Sequence, residues 1–315
     1  MTVLVTGASG FVGRALCRRA LAAGLNVRAA MRNPGETVTH LAAIEVPSLD
    51  HQTDWALALV DCRAVVHTAA RVHVMDEAAM DPLTEFRRVN VEGTLHLAHQ
   101  AAAAGVRRFV FVSSVKVNGE GSVAGHPFTV ADAPSPQDPY GISKMEAEQG
   151  LRQIASETGM EVVIVRPPLV YGSGVKANFA SLMRAVQRGI PLPLASVTNN
   201  RRSFVALDNL VDLLITCLAH PAAANQTFLV SDGEDLSTAD LLLRLGRAMG
   251  KQAPLFPVPP SLLQLGASII SKGDMAQRLL GNLQVDIGHT CNTLNWTPPI
   301  SVDEGLRRAT AGLTQ

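Results

Sequence analysis

Val3-Leu4-Val5-Thr6-Gly7-Ala8-Ser9-Gly10-Phe11-Val12-Gly13 is the stretch that decides the fold. A short apolar run reads as a buried strand, and three glycines spaced three apart carry it straight into an Ala/Leu-rich helical stretch, Phe11 to Ala23. Glycines at a strand-to-helix turn let the backbone approach a pyrophosphate. The free N–H groups and positive dipole end of the helix then hold that anion. Three spaced glycines are common in loops, so a second signal is needed to give this one a function.

The second signal is Tyr140-Gly-Ile-Ser-Lys144, which follows Ser113-Ser114 by about one strand, one loop and one helix start. A Tyr and a Lys four residues apart share one helical face. An ammonium there is expected to lower the phenol's pKa and ready it for proton transfer near neutral pH. In this order and separation, the two motifs specify a nucleotide cofactor and a proton donor that works beside it.

The rest of the chain narrows the class. With 315 residues it can bury a large core, and its 27 basic residues balance 27 acidic ones. Such balance gives no overall electrostatic footprint for nucleic acid or an anionic membrane, so small-molecule partners are expected. Cys17, Cys62, Cys217 and Cys291 lie far apart without a C-x-x-C pair, which fits reduced thiols and a cytoplasmic location. The sequence opens on a buried-type strand rather than on a signal-peptide pattern. Leu262 to Ile270 is about half of the ~20 residues a membrane span needs, so no membrane insertion is expected, and Leu262 to Leu283 reads as a pair of core-packed helices. His96 and His99 share a helical face but lack a third ligand, so no metal site is expected.

Strands read at Val3–Thr6, Asn26–Met31, Ala64–Thr68, Arg108–Ser113 and Glu161–Arg166, and helices at Phe11–Ala23, Asp81–Ala104 and Pro139–Thr158. Alternation of this kind predicts an α/β fold, a doubly wound parallel Rossmann sheet whose ligand crevice lies outside the strands' carboxyl ends. After Arg166-Pro-Pro the pattern loosens, predicting a smaller C-terminal substrate-binding lobe. The expected division is 1–170 for dinucleotide binding and 171–315 for the lobe, with 202–220, including a helix at Asp208–His220, returning to the larger unit. Ser237-x-x-Asp240 and Ser301-x-x-Glu304 read as helix-starting capping boxes.

Thr6-Gly-Ala-Ser-Gly-Phe-Val-Gly13, Val89-Asn90-x-x-Gly93-Thr94, Val112-Ser-Ser114, Tyr140-x-x-x-Lys144 and Arg166-Pro resemble the extended short-chain dehydrogenase/reductases, the NAD-dependent epimerase/dehydratase family acting on nucleotide sugars. The resemblance runs from residue 2 to about 308. It implies that Tyr140 is the general acid/base, that Lys144 binds the nicotinamide ribose and tunes Tyr140, and that Ser114 hydrogen-bonds the reacting oxygen. Gly7, Ser9, Gly10, Phe11, Val12, Gly13, Leu49, Ala69, Ala70 and Pro167 would contact the cofactor. Asn90 would brace the helix behind the site. Arg202, in Arg201-Arg202-Ser-Phe-Val, would clamp the diphosphate of a UDP-sugar, with Arg201 next in line. Asn178 and Asp286 fall where the family contacts the diphosphate and uridine ribose, and Val115, Arg71 and His73 near the sugar or nicotinamide. A homodimer through the two long helices is a family-level expectation.

Cofactor choice is read at the end of the second strand. Where Rossmann proteins that take NAD usually place Asp or Glu, this chain has Arg28-Ala-Ala-Met-Arg32, so Arg32 is expected to pair with a 2′-phosphate and favour NADPH, NAD remaining possible. Ser48 replaces a family Asp that contacts adenine. Ser114-Val115-Lys116 stands where nucleotide-sugar 4,6-dehydratases resemble Thr-Asp-Glu, which leaves no acid or base for water elimination. Ala70-Arg-Val-His-Val-Met75 and Arg202-Ser-Phe-Val-Ala-Leu-Asp-Asn-Leu210 are similar to bacterial O-antigen-locus 4-ketoreductases. That resemblance implies reduction of a UDP-2-acetamido-2,6-dideoxy-4-hexulose to UDP-N-acetylquinovosamine or its 4-epimer, UDP-N-acetylfucosamine. The alternatives are an NAD-dependent nucleotide-sugar 4-epimerase and a non-catalytic NADPH-binding sensor, the latter opposed by the presence of Ser114, Tyr140 and Lys144 together.

Overall fold

The strands are apolar on both faces, and such strands are stable only when helices cover both. A computed structural model describes residues 1–33, 42–72, 81–269 and 273–311. In chain order its elements begin β1 (Thr2–Thr6), α1 (Phe11–Ala22), β2 (Asn26–Met31), β3 (Ala42–Glu45), α2 (Ala56–Leu59), β4 (Cys62–His67), α3 (Pro82–Arg87), α4 (Gly93–Ala103), β5 (Arg108–Val112), α5 (Pro139–Thr158) and β6 (Glu161–Arg166). They continue with β7 (Leu169–Tyr171), α6 (Ala177–Gln187), β8 (Phe204–Ala206), α7 (Leu207–Ala219), β9 (Thr227–Leu229), α8 (Thr238–Ala248), α9 (Pro260–Ile269), α10 (Gly273–Leu280), α11 (Gly288–Leu294) and α12 (Val302–Thr310).

Seven parallel strands form one sheet in the order β3-β2-β1-β4-β5-β6-β9, with α1 and α7 on one face and α2, α4 and α5 on the other. The order reverses between β1 and β4. In a doubly wound sheet that is where the ligand crevice opens, at the carboxyl ends. The chain's return to the sheet after β6 is longer than 202–220, because β9 also joins it beside β6, with Ile164 opposite Thr227. A third core, containing Phe179, Met183, Leu242, Leu245 and Leu306, holds α6, α8 and α12 together in the smaller lobe. Both predicted helix starts are capped by their serines: the Ser237 hydroxyl accepts the Asp240 N–H at 3.0 Å, and that of Ser301 accepts the Glu304 N–H at 3.3 Å.

Three expectations need correction. Asp81–Ala104 is not one helix: α3 and α4 are joined by a π turn, Arg88–Glu92, whose wider winding places Asn90 in the interior. Hydrophobic periodicity cannot register one extra residue per turn. The pair α9 and α10 is only partly core-packed, since Leu263 and Leu280 face the third core while Leu262 and Leu265 are exposed. Finally, the fourth and fifth strands end one residue short of their predicted limits, and the fourth begins at Cys62.

Glu148 and Arg166 tie this frame together. Arg166 Nε and one terminal nitrogen donate to the two Glu148 oxygens at 2.9 and 2.6 Å, and both side chains are buried. Ser113 donates to the same carboxylate at 2.6 Å, and the other Arg166 terminal nitrogen donates to Asn118 Oδ1 at 3.0 Å. Removing one partner strands the other charge in the interior, so Glu148→Leu should cost about 3–5 kcal/mol, read as a drop in the urea midpoint. Glu148→Leu/Arg166→Met should recover most of that loss. Additive losses in the double variant would show that the pair does not act as a unit.

Candidate active site

The cofactor cradle is set by two glycines. Gly7, at φ +67°, turns where an added Cβ would lie 2.8 Å from the Ala69 nitrogen, and a Cβ on Gly13 would lie 2.1 Å from the Gly7 carbonyl oxygen. No L side chain fits at Gly13, so the first turn of α1 packs directly on the β1 turn. The α1 N-cap is Gly10, without a side-chain cap and without an acidic residue in the first turn. Its N–H groups therefore stay available to a diphosphate. Ser9 and Gly10 are exposed beside it, Phe11 and Val12 are half-buried, and the Ser9 carbonyl accepts from Arg14 at 3.1 Å. These features fit a dinucleotide pyrophosphate.

The remaining predicted cofactor residues lie at the same edge of the sheet. Arg32 is exposed directly after β2, whereas Arg28 is committed to the carbonyls of Ala58 and Val60 at 3.0 and 2.5 Å. Leu49 follows β3 and packs against the core, while Ser48 is engaged with Thr53 at 3.3 Å. Ala69 and Ala70 follow β4, and the Ala69 N–H meets Thr6 Oγ1 at 3.4 Å. Pro167 follows β6 and its carbonyl accepts the Val115 N–H at 3.0 Å.

Asn90 binds three segments together. Its Oδ1 accepts the Arg71 N–H at 2.8 Å, and its amide donates to the Arg71 carbonyl and to Ser143 Oγ, each at 3.0 Å. The loop after β4 is thereby fixed to α5 one residue from Lys144. Arg71 lies over the Phe86 ring at 5.7 Å, and Phe86 meets the Tyr140 ring edge-on at 6.1 Å. His73 falls outside the described residues.

Ser114, Tyr140 and Lys144 come to this crevice from two elements. Ser114 starts a short 3₁₀ turn after β5, where its oxygen accepts the Lys116 N–H at 3.2 Å and keeps its own proton to donate. Asp138 caps α5 by accepting the Gly141 N–H at 2.7 Å, which sets Tyr140 in the first turn. Lys144 is buried, with its ammonium 4.4 Å from the Phe111 ring centroid and donating to the Val112 carbonyl at 2.9 Å. Burial brings its pKa down to about 7, against a smaller upward pull from Glu148. The expected lowering of the Tyr140 phenol is not what this geometry gives. Burial raises the phenol, and the Asp138 carboxylate raises it further. The ammonium lies 5.9 Å from the Tyr140 ring centroid and is turned toward Val112. On the other side of Phe111, His67 bridges Thr6 and Thr94 at 2.7 and 3.0 Å, and burial brings it to about 3, so the ring is neutral.

The contacts of Lys116 and of Arg278 carried no sequence signal. Lys116 pairs with Asp138 and, at 2.9 Å, with Glu120, so its position is a locked cation beside the α5 cap. Val115 is buried against Leu229, Leu283 and Val285 instead of facing the crevice openly. Arg202 is half-buried, donates to the Gly281 carbonyl at 3.1 Å, and is lowered to about 10 by burial and by Arg278 on α10. The Glu120 carboxylate pulls the other way, and only tertiary packing brings Arg278 near Arg202. Arg201 is exposed and bonded to the Thr198 and Asn200 carbonyls at 2.8 and 2.9 Å. Asn178 is exposed at the start of α6, and Asp286 is exposed with its carboxylate accepting the Gly288 N–H at 2.6 Å ahead of α11. Neither is drawn into the Arg202 cluster by a hydrogen bond among the described residues.

A glycine cradle at a sheet's switch point, with a Ser, Tyr and Lys beside it, is the arrangement of the doubly wound dinucleotide-binding class. Residues 3–231 match the NAD dependent epimerase/dehydratase family, and the chain belongs to that family. It is 48% identical to a UDP-glucose 4-epimerase of Vibrio cholerae over 315 residues, covering 100% of this chain and 96% of the relative. The fold is shared with a UDP-glucose 4-epimerase of Thermotoga maritima in a structure with UDP-glucose, at TM-score 0.77 and 23% identity over 98% of this chain and 97% of that one. It is shared too with RMD of Pseudomonas aeruginosa complexed with NADPH, at TM-score 0.73 and 22% identity over the whole of both chains. No helix among the described residues is long and apolar enough to cross a membrane.

Lys144 makes cofactor binding sensitive to pH. Its ammonium is the form that would donate to ribose hydroxyls, and with the pKa lowered to about 7 that form is lost as pH rises through 7. At pH 8 binding should therefore take up a proton, seen as a calorimetric heat that changes with the buffer's ionisation enthalpy. Lys144→Met should abolish that uptake and raise the ligand-free Tm, since a buried cation without a counter-charge costs stability. Proton uptake persisting in Lys144→Met would assign it to another group.

Proposed function

We propose that this chain interconverts the C4 epimers of a UDP-hexose or UDP-N-acetylhexosamine. The observation that carries this reading is full-length 48% identity to the Vibrio cholerae UDP-glucose 4-epimerase. A nicotinamide dinucleotide bound on the Gly7–Gly13 turn supplies the hydride acceptor and donor at C4. Tyr140 exchanges the proton of the C4 oxygen, Ser114 donates a hydrogen bond to that oxygen, and Lys144 moves from Val112 to hold the cofactor ribose and to bring positive charge toward the phenol. The raised phenol of the ligand-free protein is then lowered only once the ammonium is turned toward it. Arg202 and Arg278 hold the substrate diphosphate, and Asn90 keeps α5 against the loop of Arg71.

A second reading, NADPH-dependent reduction of a UDP-4-keto-6-deoxy-N-acetylhexosamine for surface polysaccharide, is favoured by Arg32. An arginine in place of the acidic residue at the end of β2 suits a 2′-phosphate. The same Ser114, Tyr140 and Lys144 serve both reactions. What separates them is whether the cofactor stays through many turnovers or exchanges at each.

One experiment decides between them. The purified protein is incubated with UDP-glucose or UDP-N-acetylglucosamine without reductant, and separately with the 4-keto-6-deoxy sugar and NADPH, both followed by NMR. Inversion at C4 in the first tube supports the epimerase, and stoichiometric NADPH oxidation only in the second supports the reductase. Neither change would remove the activity from C4. In whichever tube reacts, Tyr140→Phe should lower turnover by roughly 10²-fold with cofactor affinity nearly intact. Arg32→Ala should weaken NADPH by about 1.5–3 kcal/mol and leave NADH almost unchanged. Equal affinity of the unaltered protein for the two cofactors would end the case for Arg32.

A further inference from the structure

The chain is neutral overall, but its charge is not evenly spread. Residues 176–203 and 241–285, which supply α6, most of α8, α9 and α10, hold ten basic residues and one acidic residue, Asp274, although Asp240 and Asp286 border the second stretch and Arg244 is paired with Glu234 and Asp303. Lys251 donates to the Gln187 carbonyl at 2.7 Å, which joins the carboxyl ends of α8 and α6 and sets Lys251 beside the exposed Arg188. Arg188 and Lys251 have no carboxylate partner among the described residues.

The same end of the lobe exposes large apolar side chains. Ile190 and Phe256 are each 44% exposed, Leu262 is 57% and Leu265 is 58%. The segments carrying the first two are joined, since the Phe256 N–H donates to the Leu192 carbonyl at 3.0 Å. Phe256 leads into α9, Pro-Ser-Leu-Leu-Gln-Leu-Gly-Ala-Ser-Ile, which contains no charged residue. Leu262 and Leu265, three apart, share its outer face, while Leu263 turns inward to the third core. Ten residues are too few to cross a bilayer but enough to lie in its interface, and exposed apolar side chains on a lobe that also carries cations without a carboxylate partner are the composition that such a surface takes.

We infer that the outer face of α9, with Phe256 and Ile190, docks on an anionic lipid bilayer. Leu262 and Leu265 enter the headgroup and acyl boundary, and Arg188 and Lys251 meet the lipid phosphates. The charge complementarity selects this occupant over a second copy of the chain, because two copies of a basic face repel. The contact lies outside the catalytic groups and is independent of which sugar is converted.

The test is vesicle flotation of the full chain loaded with its cofactor. Vesicles of phosphatidylglycerol with phosphatidylethanolamine should carry the protein at low salt, and vesicles of phosphatidylcholine should not. Leu262→Asp/Leu265→Asp should reduce the bound fraction about tenfold or more, and Arg188→Glu/Lys251→Glu should remove its dependence on salt. Circular dichroism and Tm of the variants, whose altered side chains are exposed, check that the fold is kept, and turnover of soluble substrate should stay unchanged. No flotation on anionic vesicles, or flotation untouched by both double variants, overturns the inference. So does a dimer in sedimentation velocity that Leu262→Asp/Leu265→Asp dissolves, because a second copy would then be what covers the face.

Discussion

The buried pair of Glu148 and Arg166 is the constraint on which the site depends. Arg166 ends β6, Glu148 stands one helical turn beyond Lys144 on α5, and the same carboxylate receives Ser113 from the end of β5. One ion pair therefore fixes the height of α5 over two strand ends and the neighbour of Ser114. Two charges taken out of water gain little net stability from each other, so the pair's physical value lies in the geometry it imposes. With its oxygens bound by Ser113 and Arg166, the carboxylate has few ways to shift. Asn90 does the same work from the opposite side by joining α5 to the loop after β4.

Within this frame Lys144 is left without a close carboxylate of its own. Its ammonium rests on Phe111 and one carbonyl, an environment that costs stability and lowers its pKa to about 7. A ligand bearing hydroxyls and phosphates offers it better partners. Its move off Val112 would relieve that cost and carry positive charge toward Tyr140, so part of the cofactor's binding would be coupled to activation of the phenol. Tyr140 is meanwhile held in its protonated form by burial and Asp138, and Lys116 draws that carboxylate's charge away.

What the sequence made legible is what is local in the chain. The Gly7–Gly13 turn and the Tyr140-to-Lys144 spacing are set by neighbours within one turn, and the alternation of buried strands and helices fixed the sheet. Contacts that join distant segments left no pattern. Arg278 meets Arg202 only because α10 folds back on the lobe junction, and Lys116 finds Asp138 across a long loop. The π turn at Arg88–Glu92 is hidden because a 3.6-residue pattern tolerates one inserted residue. The direction of the Tyr140 shift was missed for a related reason. Spacing puts Lys144 on the right face, but the direction in which its ammonium turns is decided by Phe111 and Val112, which belong to another strand.

Net charge misleads in the same way, because a sum over the chain discards position. All but one of the 27 acidic residues lie outside residues 176–203 and 241–285, so those two stretches are basic although residues 171–315 as a whole hold twelve basic and ten acidic residues. On the proposed function, an anionic diphosphate would be drawn toward Arg202 and Arg278. Burying Arg202 near Arg278 costs free energy, which a dianion held by the two guanidinium groups, as proposed, would offset. On that reading the basic stretches would give direction over distances set by the Debye length, and the two arginines would give registry at contact. Neither alone would place C4 of a sugar against Tyr140, since steering ends where orientation begins.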